Sequence, residues 1–115
     1  MPYSISDIQQ ILSARWLQHS DSDARVENLL IDSRQIVAPA VSLFFALPGK
    51  RHDGHSYISD LYERGVRQFV VSQEIDLDPL AGANVLMVGN TLDALQALAA
   101  YHRAQFNIPV IGITG

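Results

Sequence analysis

The segment Val41 to Leu47 constrains the fold most, because it is largely apolar and carries two adjacent phenylalanines, Phe44 and Phe45. In a strand, neighbouring side chains point to opposite faces. Two bulky apolar neighbours therefore need cover on both sides, as in a sheet with helices on each face. Further strands are expected over Val26 to Ile31, Arg67 to Ser72, Asn84 to Val88 and Val110 to Ile113. Between them lie three helical patterns. Ser4 to Leu12 repeats Ile5, Ile8, Ile11 and Leu12 at helical spacing, with Ser4 or Ser6 as cap and Asp7 in the first turn. His55 to Arg64 places Tyr57, Ile58, Leu61 and Tyr62 on one side and stops at Gly65. Leu92 to about Phe106, capped by Asn90 or Thr91, carries a stripe of Leu92, Leu95, Leu98, Ala99 and Phe106.

Gln18 to Asp23, Pro48 to Gly54 and Gln73 to Ala83 read as loops. Strands alternating with helices point to an α/β fold, a layered mixed or parallel sheet flanked by helices. The length of 115 residues suits one such domain, and 48% hydrophobic against 17% charged residues suits a packed core.

Charge and residue usage exclude several functions. A net charge of −4 with no basic stripe argues against nucleic-acid binding, and the only close basic cluster is Lys50-Arg51-His52. There is no cysteine for a disulfide or thiolate metal site, and His19, His52, His55 and His102 lack the spacing of a zinc helix. No apolar stretch reaches the length needed to span a bilayer, and no secretory signal pattern opens the chain. A cytoplasmic protein without nucleic-acid or membrane partners is the expectation.

Three loops follow strands, where α/β sheets usually hold ligands. Asp32-Ser33-Arg34 offers an acceptor, a hydroxyl and a forked donor, suited to a polar heterocycle or phosphate oxygen. The same tripeptide equally describes a turn in which Asp32 pairs with Arg34. The loop Gly49 to His55 combines two glycines, basic residues and a helix start, the makings of an anion site. It equally describes a solvated turn capped by Asp53, with His55 exposed on the first helical turn. Gly112-Ile113-Thr114-Gly115 follows an apolar run as a phosphate loop would, without the glycine-lysine-Ser/Thr portion that would make it specific. Trp16 and His102 are most simply core or surface residues. No arrangement resembles a catalytic set.

Taken in order, these segments resemble the N-terminal domain of the Mur ligases of peptidoglycan synthesis. The resemblance runs through Ile31-Asp32-Ser33-Arg34, Leu43-Phe44-Phe45-Ala46-Leu47-Pro48-Gly49 and Asp53-Gly54-His55. It continues through Gly65, Phe69-Val70-Val71, Asn90 to Ala99, His102-Arg103 and Val110 to Gly115, covering roughly residues 4 to 115. It implies a UDP-sugar-binding domain over residues 1–108, with residues 109–115 starting a central ATP-binding domain that is cut off here. In this family the first domain holds the UDP end of UDP-N-acetylmuramoyl-peptide. ATP, with Mg2+, activates the substrate carboxylate in the full-length enzyme, and a third domain brings the incoming amine.

By motif match, Asp32, Ser33 and Arg34 would contact or shape the uridine site, and Phe45, Ala46 and Leu47 would line it. Gly49, Arg51, His52, Asp53, Gly54 and His55 would lie near the ribose or diphosphate. Gly112, Thr114 and Gly115 would begin the ATP loop. The expected partners are UDP-N-acetylmuramoyl-peptide and the enzyme's own central and C-terminal domains, with no cofactor bound by this stretch and no amide formed by it alone.

Leu43 to Leu47 with Arg51 to His55 resembles the D-alanyl-D-alanine-adding branch more than the branch adding the third stem residue. Asp60 to Val66 and Arg67 to Val71 depart from the usual alanine-rich pattern and resemble a Bacteroidetes form fused to an alanine racemase. Pro39-Ala40 stands where many members have Pro-Gly. Two other functions fit the fold. A stand-alone nucleotide-binding regulatory domain would need a natural stop after Gly115, where a strand and glycine turn would be left without continuation. An interaction module would need the stripe of the Leu92–Phe106 helix to be exposed.

Overall fold

The computed structural model describes residues 3–31, 36, 38–48 and 53–106, with residues 105 and 106 as backbone only. The expected strand Val110 to Ile113 lies outside them. A short strand β1 (Tyr3–Ser4) leads into helix α1 (Ile5–Leu12). Ser4 is the cap: its hydroxyl accepts from the Asp7 amide, while the Asp7 carboxylate accepts from the Ser4 amide. This reciprocal pair satisfies two of the amides that a helix start leaves open. α1 ends at Ser13 in a left-handed conformation, φ 52°.

Strands β2 (Arg15–Gln18), β3 (Arg25–Val26) and β4 (Asn28–Leu30) follow. Next come β5 (Ser42–Phe45), a 3-10 turn Gly54–Tyr57, α2 (Ile58–Glu63) and β6 (Gln68–Val71). β7 (Asn84–Met87) and the long helix α3 (Thr91–Phe106) complete the described chain.

The main sheet has the order β2-β7-β6-β5-β4; β4 to β7 are parallel to one another, and β2 runs antiparallel to β7 at one edge. It is a mixed sheet, and β5 is wholly buried, as two adjacent phenylalanines require. Phe44 faces a core with Phe69, Val71, Val85 and the α2 residues Ile58 and Leu61. Its ring meets that of Phe69 edge to face, centroids 6.4 Å apart. Phe45 faces the opposite core, with Val70, Leu86, Ile5 and Ile8 of α1, and Ala94 and Leu98 of α3. Each side of β5 thus meets a different helical layer.

Two expectations are corrected, and one strand is added. Val26 to Ile31 is not one strand: β3 pairs with β1 in a separate two-stranded sheet, and β4 pairs with β5. Between them Glu27 donates its amide to the Val41 carbonyl at 2.8 Å, so the chain changes sheets there. β2 was not expected. Its side chains are exposed or half-buried, so an edge strand covered on one side leaves little apolar signature. On α3 the buried face is Thr91, Ala94 and Leu98, whereas Leu92, expected in the apolar stripe, is 47% exposed.

Candidate functional site

The parallel strands β4 to β7 all end at one edge of the sheet, the edge where α/β folds gather their ligand loops. Here β5 runs out into Ala46-Leu47-Pro48, and the next described segment, Asp53 to Tyr57, returns against it. The Gly54 amide donates to the Leu47 carbonyl at 2.8 Å. A Cβ on Gly54 would lie 2.6 Å from the Leu47 nitrogen and 2.9 Å from the Ala46 Cα. Only glycine permits this approach of two backbones.

Asp53 caps the 3-10 turn, its carboxylate accepting from the His55 amide at 2.9 Å and from the His55 ring Nδ1 at 2.6 Å. These two bonds, the backbone one foremost, hold the Asp53 carboxyl below the usual carboxylate range; partial burial opposes them. The other ring nitrogen of His55, Nε2, accepts from the Ser72 amide at 3.1 Å, just beyond β6. The expectation of an exposed His55 is corrected: its side chain is 5% exposed, because the ring spans the gap between the turn and the end of β6.

Helix α3 reaches the same edge. Asn90 is its cap, accepting from the Asp93 amide at 2.9 Å. Thr91, fully buried, turns its hydroxyl inward and donates to the Ala46 carbonyl at 2.9 Å. The Ala46 amide meanwhile donates to the Val70 carbonyl at 2.9 Å, so Ala46 is held from two sides.

Of the residues expected at the site, Phe45, Ala46, Leu47, Asp53, Gly54 and His55 are described. Phe45 and Ala46 have no exposed surface, and the Phe45 side chain belongs to the α1/α3 core, so of these three only Leu47, half-buried, reaches toward solvent. Asp53, Gly54 and His55 sit together at its side. Asp32, Ser33, Arg34, Gly49, Arg51, His52, Gly112, Thr114 and Gly115 lie outside the described residues, as does Lys50. Thr91 and Ser72 had no place in the sequence-based site. Thr91 reads as an ordinary cap candidate, and Ser72 contributes only a backbone amide, which no residue type encodes.

The model "Mur ligase family, catalytic domain" matches residues 25–103. The chain belongs to the Mur ligase family. It is 35% identical over 114 residues to a UDP-N-acetylmuramoyl-tripeptide--D-alanyl-D-alanine ligase of Synechocystis, covering 97% of this chain and 24% of that protein. It is also 35% identical over 97 residues to a UDP-N-acetylmuramoyl-L-alanyl-D-glutamate--2,6-diaminopimelate ligase of Geobacter sulfurreducens, covering 83% of this chain and 18% of the relative. The crystal structure of MurF from Acinetobacter baumannii superposes with a TM-score of 0.77 at 28% identity, over 91% of this chain and 22% of that one. The chain thus spans at most about a quarter of the length of these relatives. The fold expected from the family resemblance, an α/β layered sheet flanked by helices, is the fold observed. Among the described residues no helix is long and apolar enough to cross a membrane.

Proposed function

We propose that this chain binds the UDP portion of UDP-N-acetylmuramoyl-tripeptide for an ATP-dependent cytoplasmic ligase that adds D-alanyl-D-alanine. The observation that carries this reading is the 35% identity, over nearly the whole chain, to a ligase named for that reaction. The turn Asp53 to His55, packed on the end of β5, supports it as a built loop at the sheet edge where ligands gather. Arg34 and Ser33 are the proposed uridine contacts, and Leu47 and the loop Gly49 to His55 the proposed neighbours of the ribose and diphosphate. ATP and Mg2+ belong to the full-length enzyme in this proposal. Among the described residues no cluster of histidines and carboxylates offers a cation a ligand set.

A second reading, the same domain of a diaminopimelate-adding ligase, is favoured by the Geobacter relative. Both readings share the UDP site and differ in the amine added by the whole enzyme.

Titration with UDP-N-acetylmuramic acid, followed by amide NMR, tests the shared part. Saturable shifts around residues 46–56 are expected, with an affinity in the micromolar to millimolar range, about −8 to −4 kcal/mol. Arg34→Ala should weaken binding by roughly 1.5–3 kcal/mol through loss of charged hydrogen bonds. Shifts with ATP and none with the UDP sugar would sink the proposal in favour of a regulatory nucleotide site. The chain alone should form no amide from ATP, substrate and D-alanyl-D-alanine.

A further inference from the structure

We infer that His55 is a positioning residue: as a neutral ring protonated on Nδ1, it braces the turn Asp53-Gly54 against the end of β6. The inference rests on the UDP-binding reading above for its consequence, and on bonding geometry for its substance. A backbone amide can only donate, so the Ser72 amide at 3.1 Å requires a lone pair on Nε2. The ring proton then sits on Nδ1, directed at the Asp53 carboxylate 2.6 Å away. Both nitrogens are thereby occupied, and the side chain is 5% exposed.

A histidine that bound a diphosphate directly would need a ring N–H free to donate. His55 could supply one only by releasing Asp53 or Ser72. It acts instead through the backbone it holds. Asp53 and Gly54 are tied at Leu47 by the Gly54 amide, at Ala46 and Leu47 by the close approach of Gly54, and at Ser72 through the His55 ring. One imidazole thus links the turn, itself tied to the end of β5, to the residue that follows β6. The Ser72 amide, which follows the last β6 residue, finds its acceptor in this ring. Without it, the turn's own hydrogen bonds to the sheet would reach only Leu47, past the end of β5.

The test uses the chain labelled with 15N at neutral pH, with histidine side-chain spectra recorded before and after saturation with UDP-N-acetylmuramic acid. The expected result is a His55 ring in the Nδ1–H form in both states, with the Ser72 amide unchanged by ligand. His55→Ala is expected to weaken the UDP sugar about tenfold, the effect of roughly one lost buried hydrogen bond on the site's geometry. His55→Gln, whose carbonyl oxygen can accept from Ser72, is expected to recover part of that loss. If the alanine variant does not fold, the glutamine variant and the wild-type ring spectra still decide.

An Nε2–H ring, or an Nε2 resonance and Ser72 amide that both move on saturation, overturns the bracing role in favour of direct contact while leaving UDP binding intact. Unchanged affinity in His55→Ala overturns the positioning role alone. Absence of binding by the wild type overturns the UDP reading and the role in it together.

Discussion

The hydroxyl of Thr91 donates to the carbonyl of Ala46 across 45 residues of sequence, at 2.9 Å and with both residues fully buried. The bond fastens the first turn of α3 to the end of β5, where the candidate site begins. Thr91→Val keeps the shape and removes the donor, leaving the buried carbonyl without this partner. It should cost about 1–3 kcal/mol of stability. Urea denaturation should show a lower midpoint with an unchanged slope, since the surface exposed on unfolding is the same.

Gly54→Ala should be a damaging single-methyl addition, since among the described glycines Gly54 alone has backbone atoms within 3 Å of the added Cβ. The new Cβ would sit 2.6 Å from the Leu47 backbone nitrogen, which has none of the give of a flexible side-chain end. Overpacking of this kind costs about 1–3 kcal/mol. Gly89→Ala is the matched control, because a Cβ there meets nothing within 4 Å and the backbone is not left-handed. Thermal unfolding should separate the two variants clearly, and equal melting temperatures would contradict the close approach at Gly54.

Asp53 gives the site a defined acid response. Its folded carboxyl titrates below the ordinary carboxylate value because the His55 amide and ring donate to it. Between the folded value and the unfolded value of about 3.9, the unfolded chain therefore binds more protons. The resulting stability is present above about pH 4 and is lost as pH falls through the folded value. Stability curves from pH 6 to pH 2 should show a steeper acid loss in wild type than in Asp53→Asn. Parallel curves would mean that the two bonds contribute nothing in solution.

Ser13 ends α1 at φ 52°, a left-handed conformation in which its amide closes back on the Gln10 carbonyl. Glycine occupies this position without the steric penalty of a Cβ. Ser13→Gly should leave the fold unchanged and raise stability by up to about 1 kcal/mol. A loss of stability by calorimetry would mean that the serine side chain matters more than the backbone angle.

Asn84, the first residue of the expected strand Asn84 to Val88, shows how the burial of a polar side chain escapes apolar periodicity. Its side chain accepts from the Ser20 and Asp21 amides and donates to the Asp21 carbonyl and to Gln68. All four bonds are made with residues at least 16 positions away, so nothing near Asn84 in the chain announces a buried amide. The edge strand β2 stayed hidden for a related reason. It earns its strand conformation by pairing with β7, Trp16 opposite Leu86, and its own side chains are at most half-buried.

Local chemistry determined the parts of this protein that depend on near neighbours. Adjacent Phe44 and Phe45 dictated a strand covered on both faces. Ser4 with Asp7 dictated the start of α1, and Gly65, at φ 107°, the stop after α2. The family motifs were likewise legible, because the residues that carry them stand in order along the chain. Tertiary structure alone decided that Val26 to Ile31 divides between two sheets, that Leu92 faces solvent, and that His55 is a buried brace. The physical reason is one of partners. A strand's sheet, a helix's buried face and a ring's tautomer are set by the group on the other side of the contact, and for His55 that group is the amide of Ser72, 17 residues on.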